Sequence, residues 1–391
     1  GTSASCPPPC PARRLFRPRR RPARRPMGNS CEACRAQGLN IGSELTRAML
    51  CGSSAQVAKL LSERDLSYQC EGAVNSAVYS GCSRSIVSGD ENGGIRVLDV
   101  LTGEARQSMS CACPVNVVVC VPELKAIASG DEKGSVIVWD QASGQRRLTI
   151  TAGALPVKAL LYAPHLRAFL AASGGRGVGN VVALNDTTGE KTLKVLCEEH
   201  PLSICYVRDH NAVVAGNDNV VTAWAASSGD KLWEGKAGGS PVVGVAHAAA
   251  LRQVISVDVK GGVAVWEAGA IVRRLRIAGT AGLVLAMAYA PDLQAVVVAS
   301  SGRTVESYSV SSGALLQRVA CGYAAFSMHY AEELQSVILG QQLEGRRLSA
   351  LVSPSGRTGM VKVLPLLPGG QGEDLVCDAP AWVEQAEGPL L

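Results

Sequence analysis

From about residue 73 onward, short apolar runs alternate with polar turns along the chain. Val115 to Cys120, Val157 to Leu161, Val242 to Val245 and Leu283 to Met287 are almost wholly apolar. Runs of this length bounded by Gly, Asn and Asp are too short for helices and read as strands covered on both faces. Each is followed by a second apolar run, a tight polar turn, a third run with a large side chain near its end, a Gly turn and a more polar fourth run. Upstream the period changes. Leu45, Ala48, Met49, Val57, Leu60 and Leu61 fall at helical spacing with a break at Gly52-Ser53-Ser54, and Ser43 stands where an N-cap belongs. This predicts a short helical segment over residues 43–66, ahead of the strands.

The strand pattern repeats. Ala73 to Tyr79, Ser85 to Asp90, Gly94 to Asp99 and Thr102 to Glu104 align without a gap to Pro114 to Cys120, Ala126 to Asp131, Ser135 to Asp140 and Ser143 to Gln145. The turn glycine recurs at Gly103, Gly144, Gly189, Gly229, Gly269, Gly313 and Gly356, with spacings of 41, 45, 40, 40, 44 and 43. A period near forty is that of a four-stranded propeller blade. The prediction is an all-β, seven-bladed β-propeller over residues 73–364, with a disordered Arg/Pro-rich, Cys-containing tail over 1–42 and a Gly/Pro-rich tail over 365–391. One blade alone leaves an apolar face wet, so only the closed ring is stable. Ring closure is open at this point: the ends meet directly, or a segment near Leu66–Cys70 or Leu375–Cys377 supplies a strand.

These residues resemble the WD-repeat family. Trp139-Asp140 matches its dipeptide, and the runs Ser88-Gly89-Asp90 to Asp99 and Ser129-Gly130-Asp131 to Asp140 look like its second and third strands. Trp224 and Trp266 fill the Trp slot without the following Asp, while Leu98, Leu184 and Tyr308 replace it elsewhere. The family's Gly-His dipeptide is missing, and its turn aspartate survives only at Asp218, with Asn92, Lys133 and Lys260 in the corresponding slots. The resemblance implies that Asp99, Trp139, Asp140, Trp224 and Trp266 are structural repeat positions. A second resemblance competes: Val182 to Glu190 and Trp224 to Trp233 look like quinoprotein-type propeller repeats, found in quinone-dependent dehydrogenases and in non-catalytic scaffolds. The dehydrogenases usually have eight blades, are exported and in many cases carry adjacent cysteines; this chain shows seven anchors and no Cys-Cys pair.

Charge and composition narrow the function. The net charge of +5 hides eight arginines, unaccompanied by acid, in residues 1–26, which leaves −3 for the remainder. The body therefore lacks the basic surface of a nucleic-acid binder. The longest nearly apolar stretch, Ala281 to Pro291, is too short to cross a membrane. No apolar signal region is visible near the start, and the fourteen cysteines form no framework, so the chain reads as intracellular and cytoplasmic with reduced thiols. Residues 1–26 read first as a solvated basic tail, with a transit peptide or a leader the mature protein lacks as the alternatives. In the last case Gly28 follows a start Met27 and becomes an N-myristoylation acceptor, with Cys31 or Cys34 open to a second acyl chain, although Glu32 stands where Ser/Thr is favoured.

No catalytic motif is present, and the five histidines fall in different repeats without metal-ligand spacing, so neither metal nor cofactor is expected. Ser173 to Gly179 is glycine-rich but lacks the dinucleotide spacing and reads as a hairpin loop. Asp90, Asp131 and Asp258 share one slot and read as turn-stabilising Asx residues, with a shared acidic rim as the alternative. The turns between second and third strands gather Glu91, Asn92, Glu132, Lys133, Asp218, Lys260 and Arg303 on one face, a mixed-charge set that suits a protein or peptide partner. The expectation is a non-enzymatic protein-interaction scaffold, monomeric within a complex. The alternatives are a quinoprotein-like propeller with ligand or redox function, and a lipid-anchored adaptor that meets a membrane only through Gly28.

Overall fold

The computed structural model describes residues 61, 66–175, 177–267, 269–277, 282–343 and 358–366. The tail with Gly28 and Cys31, the helical segment apart from Leu61 and Leu66, the seventh turn glycine Gly356 and the stretch after 366 lie outside the described residues; Leu66, expected to end the helical segment, instead begins a strand.

The chain forms seven four-stranded antiparallel sheets. A first strand, β1 (Leu66–Cys70), precedes the repeats. Blade 1 is β2–β5 (Val74–Ser80, Ser85–Asp90, Gly94–Asp99, Ala105–Ser110) and blade 2 is β6–β9 (Val115–Val121, Ala126–Asp131, Ser135–Asp140, Arg146–Thr151). Blade 3 is β10–β13 (Val157–Ala163, Ala168–Gly175, Val178–Asn185, Lys191–Cys197), and blade 4 is β14–β17 (Ser203–Val207, Ala212–Gly216, Val220–Ala225, Lys231–Lys236). Blade 5 is β18–β21 (Val242–Ala248, Gln253–Asp258, Gly262–Glu267, Ala270–Arg276), and blade 6 is β22–β25 (Val284–Ala290, Ala295–Ser300, Thr304–Ser309, Leu315–Ala320). Blade 7 draws β26–β28 (Ala325–Ala331, Ser336–Leu343, Thr358–Pro365) from the C-terminal side and takes β1 as its outer strand. Leu66 stands opposite Val363 and Cys70 opposite Gly359, so Leu66–Cys70 is the closing segment. The ring is thereby latched by backbone hydrogen bonds between its two ends.

The apolar residues assemble into seven clusters, one at each junction between neighbouring blades. Val87 and Ile95 of blade 1 meet Ile127 and Trp139 of blade 2, and Cys205 and Val214 of blade 4 meet Val254 and Trp266 of blade 5. Leu61, in helical conformation, is buried in the cluster joining blades 7 and 1. A blade's core is thus half its neighbour's, which is the physical reason the array needs closure.

Burial corrects one expectation. The first strands are the most continuously apolar, yet β6 and β10 are buried only at intervals. The strands covered at every position are the second ones, β3, β7, β15 and β23. A second strand is covered by strands on both edges and blades on both faces, whereas an innermost strand has a free edge towards the axis.

Backbone conformation carries the repeat most faithfully. Gly103, Gly144, Gly189, Gly229, Gly269 and Gly313 all have left-handed φ between 68° and 87°, which a side chain would strain. A second left-handed series has no glycine: Arg84, Lys125, Arg167, Asn211, Arg252, Gln294 and Gln335 each end the connection between first and second strands, with φ from 44° to 53°.

Candidate functional site

The repeat positions are built into the blades. Trp139, Trp224 and Trp266 are buried at blade junctions. The Trp139 indole donates to Ser129 Oγ at 2.9 Å, and that of Trp266 to Ser256 Oγ at 2.9 Å. Trp224 lies opposite Val213, so the matching serine slot falls on Ala215, which offers no hydroxyl. Asp99 and Asp140 accept backbone N–H groups two and three residues on, at 2.7–3.0 Å, and bind Arg106 and Arg147. The hydrogen bonds from Ser143 and Arg147 hold the Asp140 carboxyl well below the usual carboxylate range.

Asp90, Asp131 and Asp258 fill the Asx role. Each accepts from the backbone two and four residues on, at 2.7–2.9 Å. Burial pushes the Asp90 carboxyl above its ordinary value, against the pull of those N–H donors. Asp218 does not repeat this: no donor reaches its carboxylate among the described residues, and only its backbone carbonyl is engaged, by Val242 N–H at 2.6 Å.

Glu91, Asn92, Glu132, Lys133, Asp218, Lys260 and Arg303 sit on second-to-third-strand turns of blades 1, 2, 4, 5 and 6. The alternating strand direction puts these turns on one face, spread around the ring rather than gathered. Glu132 is held by Asn116 at 2.8 Å and Lys158 at 3.8 Å, inside its own quarter of the ring.

A concavity lies elsewhere, between blades 4 and 5, at the connections of first to second strands. It encloses about 310 Å³ and is lined by Val207, His210, Val214, Leu232, Trp233, Arg252 and Trp266, among others. Trp233 stacks on Trp266 with ring centroids 5.6 Å apart and planes 20° apart, forming a flat aromatic wall. Leu232 is 50% exposed, a large uncovered apolar group at the lip. Arg252 is exposed and has no ion pair among the described residues. The repeat alignment marked Trp266 but gave no sign that Trp233, on the outer strand of the preceding blade, would cover it. A Trp in a mostly polar outer strand was the only available signal. A smaller cavity of about 110 Å³ lies between blades 3 and 4, next to Asp218, with Glu199 and Asn217 in its wall.

The eight described cysteines are all free thiols. Burial pushes Cys120 and Cys205 up to about 12 and Cys70, Cys197 and Cys321 up to about 11, so these side chains pack as inert apolar groups. Tyr68, half-buried beside Asp99, is raised to about 12 and donates to the Val100 carbonyl at 2.6 Å. Among the described residues no helix is long and apolar enough to cross a membrane.

Comparison with known proteins places this geometry. No curated protein matches the chain. Among solved structures it is similar to a computationally designed protein, Ika8, at 17% identity and a TM-score of 0.55, over 78% of this chain and 100% of that one. That likeness shows the fold alone. A family model described as outer membrane protein assembly factor BamB matches residues 132–253 and 178–337, together more than half of the chain. The match is to this family and not to WD repeats, so the quinoprotein-type resemblance of Val182 to Glu190 and Trp224 to Trp233 falls within it. By that match the chain belongs to the propeller family described as outer membrane protein assembly factor BamB.

Proposed function

We propose that the chain is a non-catalytic propeller that holds a partner protein, with the concavity between blades 4 and 5 as the docking point. The observation that carries this reading is the aromatic wall of Trp233 on Trp266 beside the exposed Leu232 and the uncompensated Arg252. An apolar hollow with one cation at its lip suits a peptide segment bearing an apolar anchor next to a carboxylate. A family description that speaks of an assembly factor supports the same direction. Partner contact through the mixed-charge turns of the opposite face, from Glu91 to Arg303, is a separate element of the proposal. We also assign the protein to a reducing, cytoplasmic compartment, supported by the eight free thiols.

The test is co-purification on the full chain followed by binding of the identified segment to wild type and Leu232→Asp. Leu232 is half exposed, so its replacement should leave melting within about 0.5 kcal/mol of wild type. Partner affinity should fall at least tenfold. Unchanged affinity would remove the hollow from the proposal.

The quinoprotein-like reading rests on the repeat family. Its check is the absorbance of natively purified protein: a chromophore beyond the protein band supports a bound redox group, and its absence under native purification counts against one. The lipid-anchored reading rests on Gly28, and fractionation of wild type against Gly28→Ala decides it.

A further inference from the structure

We propose that Glu199, His200 and Asp218, with the Asn217 amide oxygen, form a site for one divalent first-row metal ion of the Mn²⁺, Co²⁺ and Zn²⁺ group. The four residues come from two segments. Glu199 and His200 lie in the connection from β13 to β14, which leads from blade 3 to blade 4, and Asn217 and Asp218 lie in the turn between β15 and β16. One ligating atom from each of Glu199, His200 and Asp218 lies within 4.8 Å of the other two. A shared ion with bonds of about 2.0–2.2 Å holds its ligand atoms roughly 3.3–3.6 Å apart, so side chains at that limit need only a small inward shift to reach it.

The glycine-rich hairpin explains why the loop sits there. Gly174 and Gly179 are paired across β11 and β12, and the loop packs flat against them. A Cβ on Gly179 would lie 2.3 Å from Pro201 Cδ and 2.9 Å from the Glu199 carbonyl oxygen, and one on Gly174 would lie 2.6 Å from His200 Cβ. Neither glycine has left-handed φ, so what they supply is room for close approach, which sets His200 beside the turn of the next blade.

The polar groups of the site are left without partners. Neither the Glu199 nor the Asp218 carboxylate has a donor or counter-ion among the described residues, although they are near enough to repel. His200 Nδ1 is buried without a hydrogen-bond partner. Asn217 is only 6% exposed, lines the same cavity as Glu199 and Asp218, and its Oδ1 is likewise buried and unpartnered. A buried amide oxygen without a donor is uncommon in folded proteins, and a cation satisfies it together with both carboxylates. Lys231, also on the cavity wall, is held by Glu234 at 2.9 Å. Cys197 lines the cavity too, but its sulfur is not among the ligating atoms that converge there. Three oxygen donors with one imidazole favour the borderline dications over Cu⁺, which seeks thiolates, and over Mg²⁺ and Ca²⁺, which take oxygen alone. A bound ion would tie blade 3 to blade 4 on the face opposite the aromatic hollow.

The experiment uses the full chain, stripped with a chelator and titrated with Co²⁺ by visible absorbance and with Mn²⁺ by electron paramagnetic resonance. One equivalent should bind, with weak d–d bands and no thiolate-to-metal charge-transfer band. His200→Gln and Asp218→Asn should each weaken binding by at least about tenfold, the lower bound seen when even an outer partner of a ligand is lost. His165→Gln, on an exposed turn of another connection, should bind as wild type. At a hundredfold excess over Kd, Tm should rise by a few degrees in wild type and not in the variants. If His200→Gln lowers the metal-free Tm, the isosteric Asp218→Asn decides the matter. No saturable site below millimolar metal, unchanged binding in Asp218→Asn, or a thiolate charge-transfer band would each overturn the proposal.

Discussion

In blade 2 the fifth residue of the third strand is Trp139, packed at the junction with blade 1, and its indole N–H is satisfied by Ser129. In blade 6 the same slot holds Tyr308, packed at the junction with blade 5, and its hydroxyl donates to Glu306 at 2.5 Å. Glu306 is 1% exposed and stands where blade 2 has Ile137; Arg318 on the neighbouring strand pairs with it at 2.9 Å. One junction is therefore closed by a neutral hydrogen bond inside an apolar core, the other by a charged network. The ring demands a bulky side chain with a satisfied polar tip at this point, and two chemistries meet the demand. Blade 4 shows the limit of the rule, since Trp224 keeps the bulk while Ala215 supplies no acceptor.

The comparison can be broken in order of expected effect. Trp139→Ala removes the bulk itself and should cost about 3–5 kcal/mol, read as a fall in the denaturant midpoint with the slope unchanged. A cost under 1 kcal/mol would mean that the junction does not depend on this slot. Arg318→Met leaves the buried Glu306 carboxylate without its cation and should cost about 3–5 kcal/mol by the same measurement. Because the defect is an uncompensated charge, adding Glu306→Gln should restore part of the loss; no recovery in the double variant would show that Arg318 acts by packing alone.

Titration sharpens the contrast at an intermediate size. Burial holds the imidazole of His329, on the innermost strand of blade 7, down to about 4 from an ordinary 6.5. The folded chain therefore binds this proton less readily than the unfolded chain. The stabilisation is complete above pH 6.5 and is lost as pH falls from about 6.5 towards 4, at no more than about 1.4 kcal/mol per pH unit. Subtracting the pH profile of His329→Gln from that of wild type should isolate this slope; superimposable profiles would refute it. The smallest effect belongs to Ser129→Ala, which gives blade 2 the apolar slot of blade 4 and should cost about 1–2 kcal/mol, with near-ultraviolet dichroism reporting the Trp139 environment.

Much of this architecture was legible in the chain. The turn glycines could be counted because left-handed φ selects glycine by sterics alone, and Asp90, Asp131 and Asp258 could be assigned to turns because Asx bonding is local. The second left-handed series, from Arg84 to Gln335, escaped notice because its residues share a backbone conformation and no side-chain chemistry. The candidate sites were less legible for a related reason. Asp218 was singled out as a turn residue and His200 was read with the other histidines as no ligand, since the segments that carry them and Glu199 approach one another only through glycines in a third. Trp233 passed as one residue of an outer strand until Trp266 of the next blade lay against it.

The sequence by itself determined the period, the number of blades and the turn chemistry, because those are set by interactions within about forty residues and repeat until they exceed chance. Only the tertiary structure decided how the ring closes and where its hollows lie. The pairing of Leu66–Cys70 with Thr358–Pro365 joins segments nearly 290 residues apart, and five residues carry no repeat of their own to announce it. The concavities at the junctions of blades 3 and 4 and of blades 4 and 5 likewise belong to neither blade alone. They exist only where two repeats of independent sequence are brought face to face by closure.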